Sequence, residues 1–212
     1  MKIKWLGHSC FLLTSVSGIR IVIDPFNETV GYKVPSEEAD IVSTSHDHFD
    51  HNYVQAIKGP FKRIDKPGHF SESGIEIVGI PTFHDEAGGS KRGQNIIFKF
   101  TVDGLNICHC GDLGHVLSAE QAKALGAVDV LLVPVGGFYT IGPDEAAAVV
   151  KLLKPKVIIP MHFKTPPIEF PIAGVDQFLT KMGGGKELGR QELELSAANI
   201  AENAGVVVLR YE

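Results

Sequence analysis

The run His46-Asp47-His48-Phe49-Asp50-His51 places three imidazoles and the Asp50 carboxylate, all possible metal donors, within six residues. That mixture of nitrogen and oxygen donors suits borderline divalent metals such as zinc. On an extended turn His46 and His48 point the same way, which leaves Asp50 and His51 to turn toward a second ion. A lone histidine would be an ordinary loop residue, but four donors this close together are not accounted for that way. Four donors do not complete two sites, so further ligands are expected at strand ends, where loops carry function. Three residues qualify. His84 ends the run Ile80-Pro81-Thr82-Phe83, Asp112 follows a hairpin strand through Gly111, and His162 follows Val157-Ile158-Ile159-Pro160-Met161.

The order Asp24, His46/His48/Asp50/His51, His84, Asp112, His162 resembles the metallo-β-lactamase superfamily along essentially the whole chain. The six-residue motif is its most specific element. The resemblance implies an α+β fold, a four-layer αββα sandwich with metals at one edge of two central sheets. It also implies that His46, His48 and His84 hold one metal, that Asp50, His51 and His162 hold a second, and that Asp112 bridges them. Asp24 would steer a ligand imidazole from behind. The segments Trp5-Leu6-Gly7-His8-Ser9, Ile23-Asp24-Pro25, Gly111-Asp112 and Pro160-Met161-His162 are similar to a branch of compact metal-dependent hydrolases related to L-ascorbate-6-phosphate lactonase. Leu113 stands where that branch often has Thr.

Such a site suits hydrolysis of an ester, lactone, thioester or phosphoester, because paired cations acidify a water and polarise the bond under attack. Two divalent ions are the expected cofactors, zinc first, with manganese or iron as alternatives. Asp50 would both bind metal and orient the nucleophile. The leaving group needs a proton donor, and His115 and Tyr139 are preferred over Lys164 and over His109, which lies inside a strand. The lactonase-like resemblance places His8 at the mouth of the site, with a structural turn role as its alternative. His69, flanked by Gly68 and Phe70, reads as a surface-loop residue, and Cys108 and Cys110 as buried packing. Gly136-Gly137-Phe138-Tyr139-Thr140 lacks the ending of a phosphate loop and is expected to shape the wall of the site.

The donors need strands to carry them. Lys2 to Leu6, Phe11 to Thr14, Ile19 to Ile23, Ala39 to Thr44 and Ile75 to Ile80 read as strands bounded by Gly, Ser or Pro. Asn95 to Val102 and Leu105 to Cys110 form a hairpin through Asp103-Gly104, a dipeptide suited to a tight turn with positive φ. Asp129 to Val135, Lys156 to Met161 and Val206 to Tyr211 complete the strands. Helices are expected over 52–58, from Pro143 through Leu153, and around Val175, Phe178, Leu179 and Met182. Strands first and helices later favour layered α+β packing over a simple βαβ repeat.

At 212 residues and 44% hydrophobic content, one domain over 1–212 is expected. The net charge of −5 comes from mixed charges without a basic stripe, which disfavours nucleic acid as partner and favours a small-molecule substrate. A nuclease or phosphodiesterase of nucleic acid is the alternative within hydrolysis. A redox di-metal protein or a metal-binding module is the alternative outside it, but redox members of this resemblance usually replace the second motif histidine with Glu, and His48 is intact. Three cysteines suggest a reducing compartment, the cytoplasm. The N-terminal segment breaks at Gly7-His8 before any apolar signal core, and there is no apolar run long enough to span a bilayer, so no membrane partner is expected. A homo-oligomer is compatible with all of this.

Overall fold

A computed structural model describes residues 1–212. In chain order the strands are β1 (Lys2–Gly7), β2 (Cys10–Thr14), β3 (Arg20–Ile23), β4 (Ile41–Ser43), β5 (Lys62–Ile64), β6 (Gly68–Glu72), β7 (Ile75–Phe83), β8 (Gln94–Val102), β9 (Leu105–His109), β10 (Val130–Pro134), β11 (Val157–Met161), β12 (Lys186–Glu187), β13 (Glu192–Glu194) and β14 (Gly205–Val208). The helices are α1 (Ala119–Leu125), α2 (Pro143–Leu153) and α3 (Asp176–Met182). Two mixed sheets result, one ordered β13-β1-β2-β3-β4-β5 and the other β12-β14-β11-β10-β9-β8-β7-β6.

Residue alternation explains the layering, because successive side chains on a strand face opposite sides. Phe11, Leu13, Ile21, Ile23 and Ile41 join the large core shared with Ile77, Phe98, Phe100 and Ile107 of the second sheet. Their neighbours Cys10, Val22 and Val42 join a smaller cluster with Phe26, Val30, Tyr32 and Ile57 on the other face of the first sheet. Each fully buried large side chain contributes roughly 1.5–3 kcal/mol. Helices α1 and α2 pack on β7 and β10 of the second sheet, and α3 packs against α2. The outer face of the first sheet is covered by loops and short 3-10 turns instead, including Glu28–Val30 and Val54–Ala56. No helix of the structure is long and apolar enough to cross a membrane.

The helix expected over 52–58 is only the turn Val54–Ala56. Its entry is held by a local bond, Asn52 N–H to His48 O (3.1 Å), and by a distant one, Tyr53 N–H to Pro25 O (2.8 Å) in the segment after β3. So short a segment cannot repay helix nucleation. His69 lies not in a loop but on the edge strand β6, paired with Val78. The Asp103-Gly104 turn forms as expected, with φ of 51° and 77°. Strands β5, β6, β12 and β13 and helix α1 were not expected; the strands are short and largely exposed. Helix α1 had a readable start, since Ser118 and Gln121 form a reciprocal capping box.

Strand direction sets the position of the site. Strands β3, β4 and β5 run parallel, and β9, β10 and β11 run parallel. Two antiparallel pairings relate β7 to β9 through β8, so β7 runs the same way as β9. Asp24, the histidine run, His84, Asp112 and His162 each follow the carboxyl end of one of these strands. Open sheets bind ligands at that edge.

Candidate metal centre

The two sheets bring all seven expected donors together. The side chains of His46, His48 and His84 converge, as do those of Asp50, His51 and His162 with His8, and those of His46, His51 and Asp112. Asp112 joins these groups. Its Oδ1 lies 3.2 Å from His51 Nε2, and its Oδ2 lies 3.2 Å from His84 Nε2 and 3.3 Å from His162 Nε2. Two ligands each about 2.1 Å from one tetrahedral ion are about 3.4 Å apart, so these separations are those of co-ligands.

Close approach of the loops depends on glycine. A Cβ on Gly111 would stand 2.3 Å from Asn95 Oδ1 and 2.6 Å from Ser45 Cβ, and one on Gly114 would stand 2.2 Å from Asp85 N. Asn95 Oδ1 in turn accepts the Asp112 N–H (2.9 Å), and its amide donates to Cys110 O (2.9 Å) and Thr82 Oγ1 (2.8 Å). His8, Asp24 and His162 have φ of 52°, 49° and 50°, a left-handed conformation that non-glycine residues adopt where surrounding structure enforces it.

Asp24 is fully buried. It accepts the Ser45 N–H (2.7 Å), the Ser45 hydroxyl (2.6 Å) and His51 Nδ1–H (2.9 Å). With the hydroxyl proton committed to Asp24, Ser45 Oγ accepts His46 Nδ1–H (2.9 Å). These bonds hold a proton on Nδ1 of both imidazoles and aim both Nε2 atoms into the cluster, where each can serve as a metal donor once unprotonated.

His46 Nε2, His51 Nε2 and Asp112 Oδ1, which face the cluster, are buried without a hydrogen-bond partner. Such groups are costly unless an ion or another partner meets them. The charges point the same way. Burial lowers His46 to about 3, helped by the charge on His51. Burial opposes ionisation of Asp112, Asp50 and Asp24, yet neighbouring imidazoles hold all three below the usual carboxylate range: His162 and His51 around Asp112, His51 and His8 around Asp50, and His51 beside Asp24. Burial also opposes charge on His51, but Asp112 and Asp50 raise it well above the ordinary histidine value. Three carboxylates facing one imidazolium leave negative charge that divalent cations match. These donors fit a metal centre.

Stripping metal with a chelator is therefore expected to lower the unfolding midpoint by about 10 °C. Occupancy at a thousandfold Kd contributes about 4 kcal/mol, and a chain of this size shifts about 2–4 °C per kcal/mol. Calorimetry with and without chelator checks this, and an unchanged midpoint would contradict it.

Other expected residues separate clearly. His8 is not at the mouth but fully buried, its Nε2 3.2 Å from Asp50 Oδ2 and its ring 4.2 Å from that of His162. Trp5 Nε1–H donates to its carbonyl (2.9 Å), which anchors the turn. His115 does not join the cluster. Its Nε2 accepts the Phe83 N–H (3.2 Å) and its Nδ1–H donates to Val116 O (2.9 Å), so neither nitrogen is left to supply a proton. His109 is likewise engaged, with Ser9 O (2.8 Å) and the Gly111 N–H (3.0 Å). Lys164 donates to Phe170 O (2.9 Å). Tyr139 stands beside Phe170, with ring centroids 6.2 Å apart, and Phe170 is 5.8 Å from His8. Cys10, Cys108 and Cys110 are buried and unpaired.

A residue that sequence reasoning missed is Arg92, which lines a cavity of about 710 Å³ with His46 and His48 and lies over the Tyr139 ring. The available signal was the stretch Asp85-Glu86-Ala87-Gly88-Gly89-Ser90-Lys91-Arg92-Gly93 directly after His84, a glycine-rich turn headed by an acid.

Two sheets with histidines and aspartates at their common edge define a metallohydrolase architecture, and residues 2–162 match the β-lactamase superfamily domain. The chain belongs to the metallo-β-lactamase superfamily. It is 32% identical over 214 residues to a UPF0173 metal-dependent hydrolase of Thermococcus onnurineus, covering 88% of this chain and 93% of the relative. A Thermotoga maritima protein of known crystal structure, described as a Zn-dependent hydrolase of the superfamily, is 44% identical, with a TM-score of 0.83 over 98% of this chain and 97% of that one. Igni18, a metallo hydrolase of Ignicoccus hospitalis, shares the fold at 24% identity and a TM-score of 0.69, over 99% of this chain and 94% of its own. The protein is accordingly a metal-dependent hydrolase.

Proposed function

We propose that the protein is a dinuclear hydrolase that cleaves an ester, lactone, thioester or phosphoester of a small molecule, with zinc as the first-choice metal. The observation that carries this is that Asp112 meets His51 through Oδ1 and both His84 and His162 through Oδ2, so one carboxylate reaches residues from both halves of the cluster. His46, His48 and His84 would hold one ion, Asp50, His51 and His162 the other, and Asp112 would contact both. When bound, such a pair supplies an acidified water and an electrophilic contact to the scissile group.

The chain's own residues supply orientation. Asp50, 13% exposed at its side chain, is the least enclosed of the three carboxylates. Neutral His8, lowered to about 4 by burial and by His162, donates Nε2–H to Asp50 Oδ2 and fixes the carboxylate that aligns the nucleophile. Tyr139, whose hydroxyl makes no hydrogen bond within the protein, is the remaining candidate to protonate the leaving group. Metal uptake displaces the proton that His51 holds, so affinity falls as pH is lowered. The acidic net charge supports a small-molecule substrate over nucleic acid, and three unpaired thiols suit the cytoplasm.

Elemental analysis with a panel of lactones, thioesters, phosphomonoesters and phosphodiesters tests the assignment. About two ions per chain with turnover of one class is expected, and a single ion would refute the dinuclear site. His48→Ala should lower bound metal and reduce hydrolysis at least about a hundredfold, roughly 3 kcal/mol in the barrier. His69→Ala, on edge strand β6, should change neither.

A further inference from the structure

We propose that Arg92 is the residue that selects the substrate, receiving a carboxylate or phosphate group placed beside the scissile bond. This rests on the small-molecule hydrolase function and names the substrate class.

The loop that follows His84 is built around one carboxylate. Asp85 is buried, and its two oxygens accept the N–H groups of Ala87 (2.8 Å), Gly89 (2.9 Å), Lys91 (3.0 Å) and Arg92 (2.8 Å). His84 N–H donates to Gly93 O (3.0 Å), which closes the loop where it leaves the metal ligand. The backbone of Arg92 is therefore fixed relative to His84. Its guanidinium lies 5.5 Å from the Tyr139 ring centroid, within cation–π range, which fixes the side chain as well.

The cavity wall singles out this cation. Arg63 is engaged by Asp65 at 3.1 Å, and Lys91, next in sequence, is paired with Glu86. Arg92 has no ion pair and donates no side-chain hydrogen bond, although it is half-buried. A guanidinium carries five N–H donors in a planar fork that matches a carboxylate or phosphate. A half-buried fork held by its own loop and an aromatic face, with every donor unspent, beside His46 and His48, is an anion receptor. His46 and His48 line the same cavity as Arg92, so an anion on Arg92 would place the rest of a small substrate against these two expected metal ligands.

The test uses metal-loaded wild type, Arg92→Gln and Arg92→Lys, each checked for equal metal per chain. Calorimetric titration with inorganic phosphate and with glutarate reads binding without turnover and tells the two anion types apart. Arg92→Gln is expected to weaken the preferred anion at least tenfold, and Arg92→Lys, which keeps charge but loses the fork, to fall between. In parallel, the kcat/KM preference for the mono-p-nitrophenyl ester of glutaric acid over p-nitrophenyl butyrate should collapse at least tenfold in Arg92→Gln, mainly through KM. Loss of anion binding in Arg92→Gln without turnover of either ester by wild type would uphold the receptor and count against ester hydrolysis. If wild type bound neither anion, or Arg92→Gln bound both within twofold of wild type, the proposal would be overturned.

Discussion

On the proposed dinuclear site, Asp112→Asn is expected to lower bound metal by at least one ion per chain and to cut kcat/KM at least about a thousandfold, roughly 4 kcal/mol of transition-state stabilisation. The substitution keeps volume and removes charge. In the protein as it stands, both oxygens of Asp112 face imidazole nitrogens at 3.2–3.3 Å, from His51, His84 and His162. An amide offers one acceptor oxygen in place of two and carries no negative charge, so it cannot meet His51 on one side and the His84–His162 pair on the other as a carboxylate does. The Asp112 N–H bond to Asn95 survives, because it involves only the backbone of residue 112. The loop should keep its place, and unchanged circular dichroism alongside lost metal would assign the effect to the bridge. Two ions and near-normal rate in Asp112→Asn would mean that the two halves are assembled without it.

Much of this site is visible in the sequence because its donors are tied to strand ends. A strand that alternates faces, such as Arg20–Ile23 with Ile21 and Ile23 inward and Val22 outward, shows its own boundaries, so the residue after it is positioned by counting. His84, Asp112 and His162 are legible this way, whereas Asp24, which also follows a strand, enters only through the resemblance to the superfamily. What stayed hidden depends on contacts between distant segments. His8 lies in a turn that reads as exposed, yet the edges of both sheets close over it, and His162 N–H donates to its carbonyl. His115 looked free because nothing local shows that the end of β7 takes one of its nitrogens. Arg92 is one charge among many until the loop folds around Asp85. The expected helix over 52–58 failed for a related reason, since the bond from Tyr53 N–H to Pro25 O ties its start to the segment after β3.

Asp24→Ala is expected to cost about 3–5 kcal/mol of stability and to weaken metal binding roughly 10- to 100-fold, although Asp24 is not one of the seven expected ligands. Three donors converge on this carboxylate, namely the Ser45 N–H, the Ser45 hydroxyl and His51 Nδ1–H, and alanine leaves each of them buried without an acceptor. The loss spreads through Ser45, whose oxygen also receives His46 Nδ1–H, so one substitution loosens a ligand from each half of the cluster. Asp24→Asn separates shape from charge, because it fills the same space while facing donors with a donor. It should fall between wild type and alanine in thermal midpoint and in metal retention against a graded chelator. The pH dependence gives a further check. Burial opposes the Asp24 charge, but the His51 bond and nearby imidazoles hold its carboxyl below the usual 3.8. A lowered carboxyl contributes stability above its unfolded value and loses it as pH falls through the folded one. Metal-free wild type should therefore shed stability on acidification below about pH 4, where unfolded aspartates protonate. Asp24→Asn should shed less over the same interval, and equal acid slopes for the two proteins would show that Asp24 carries no charge in the folded state.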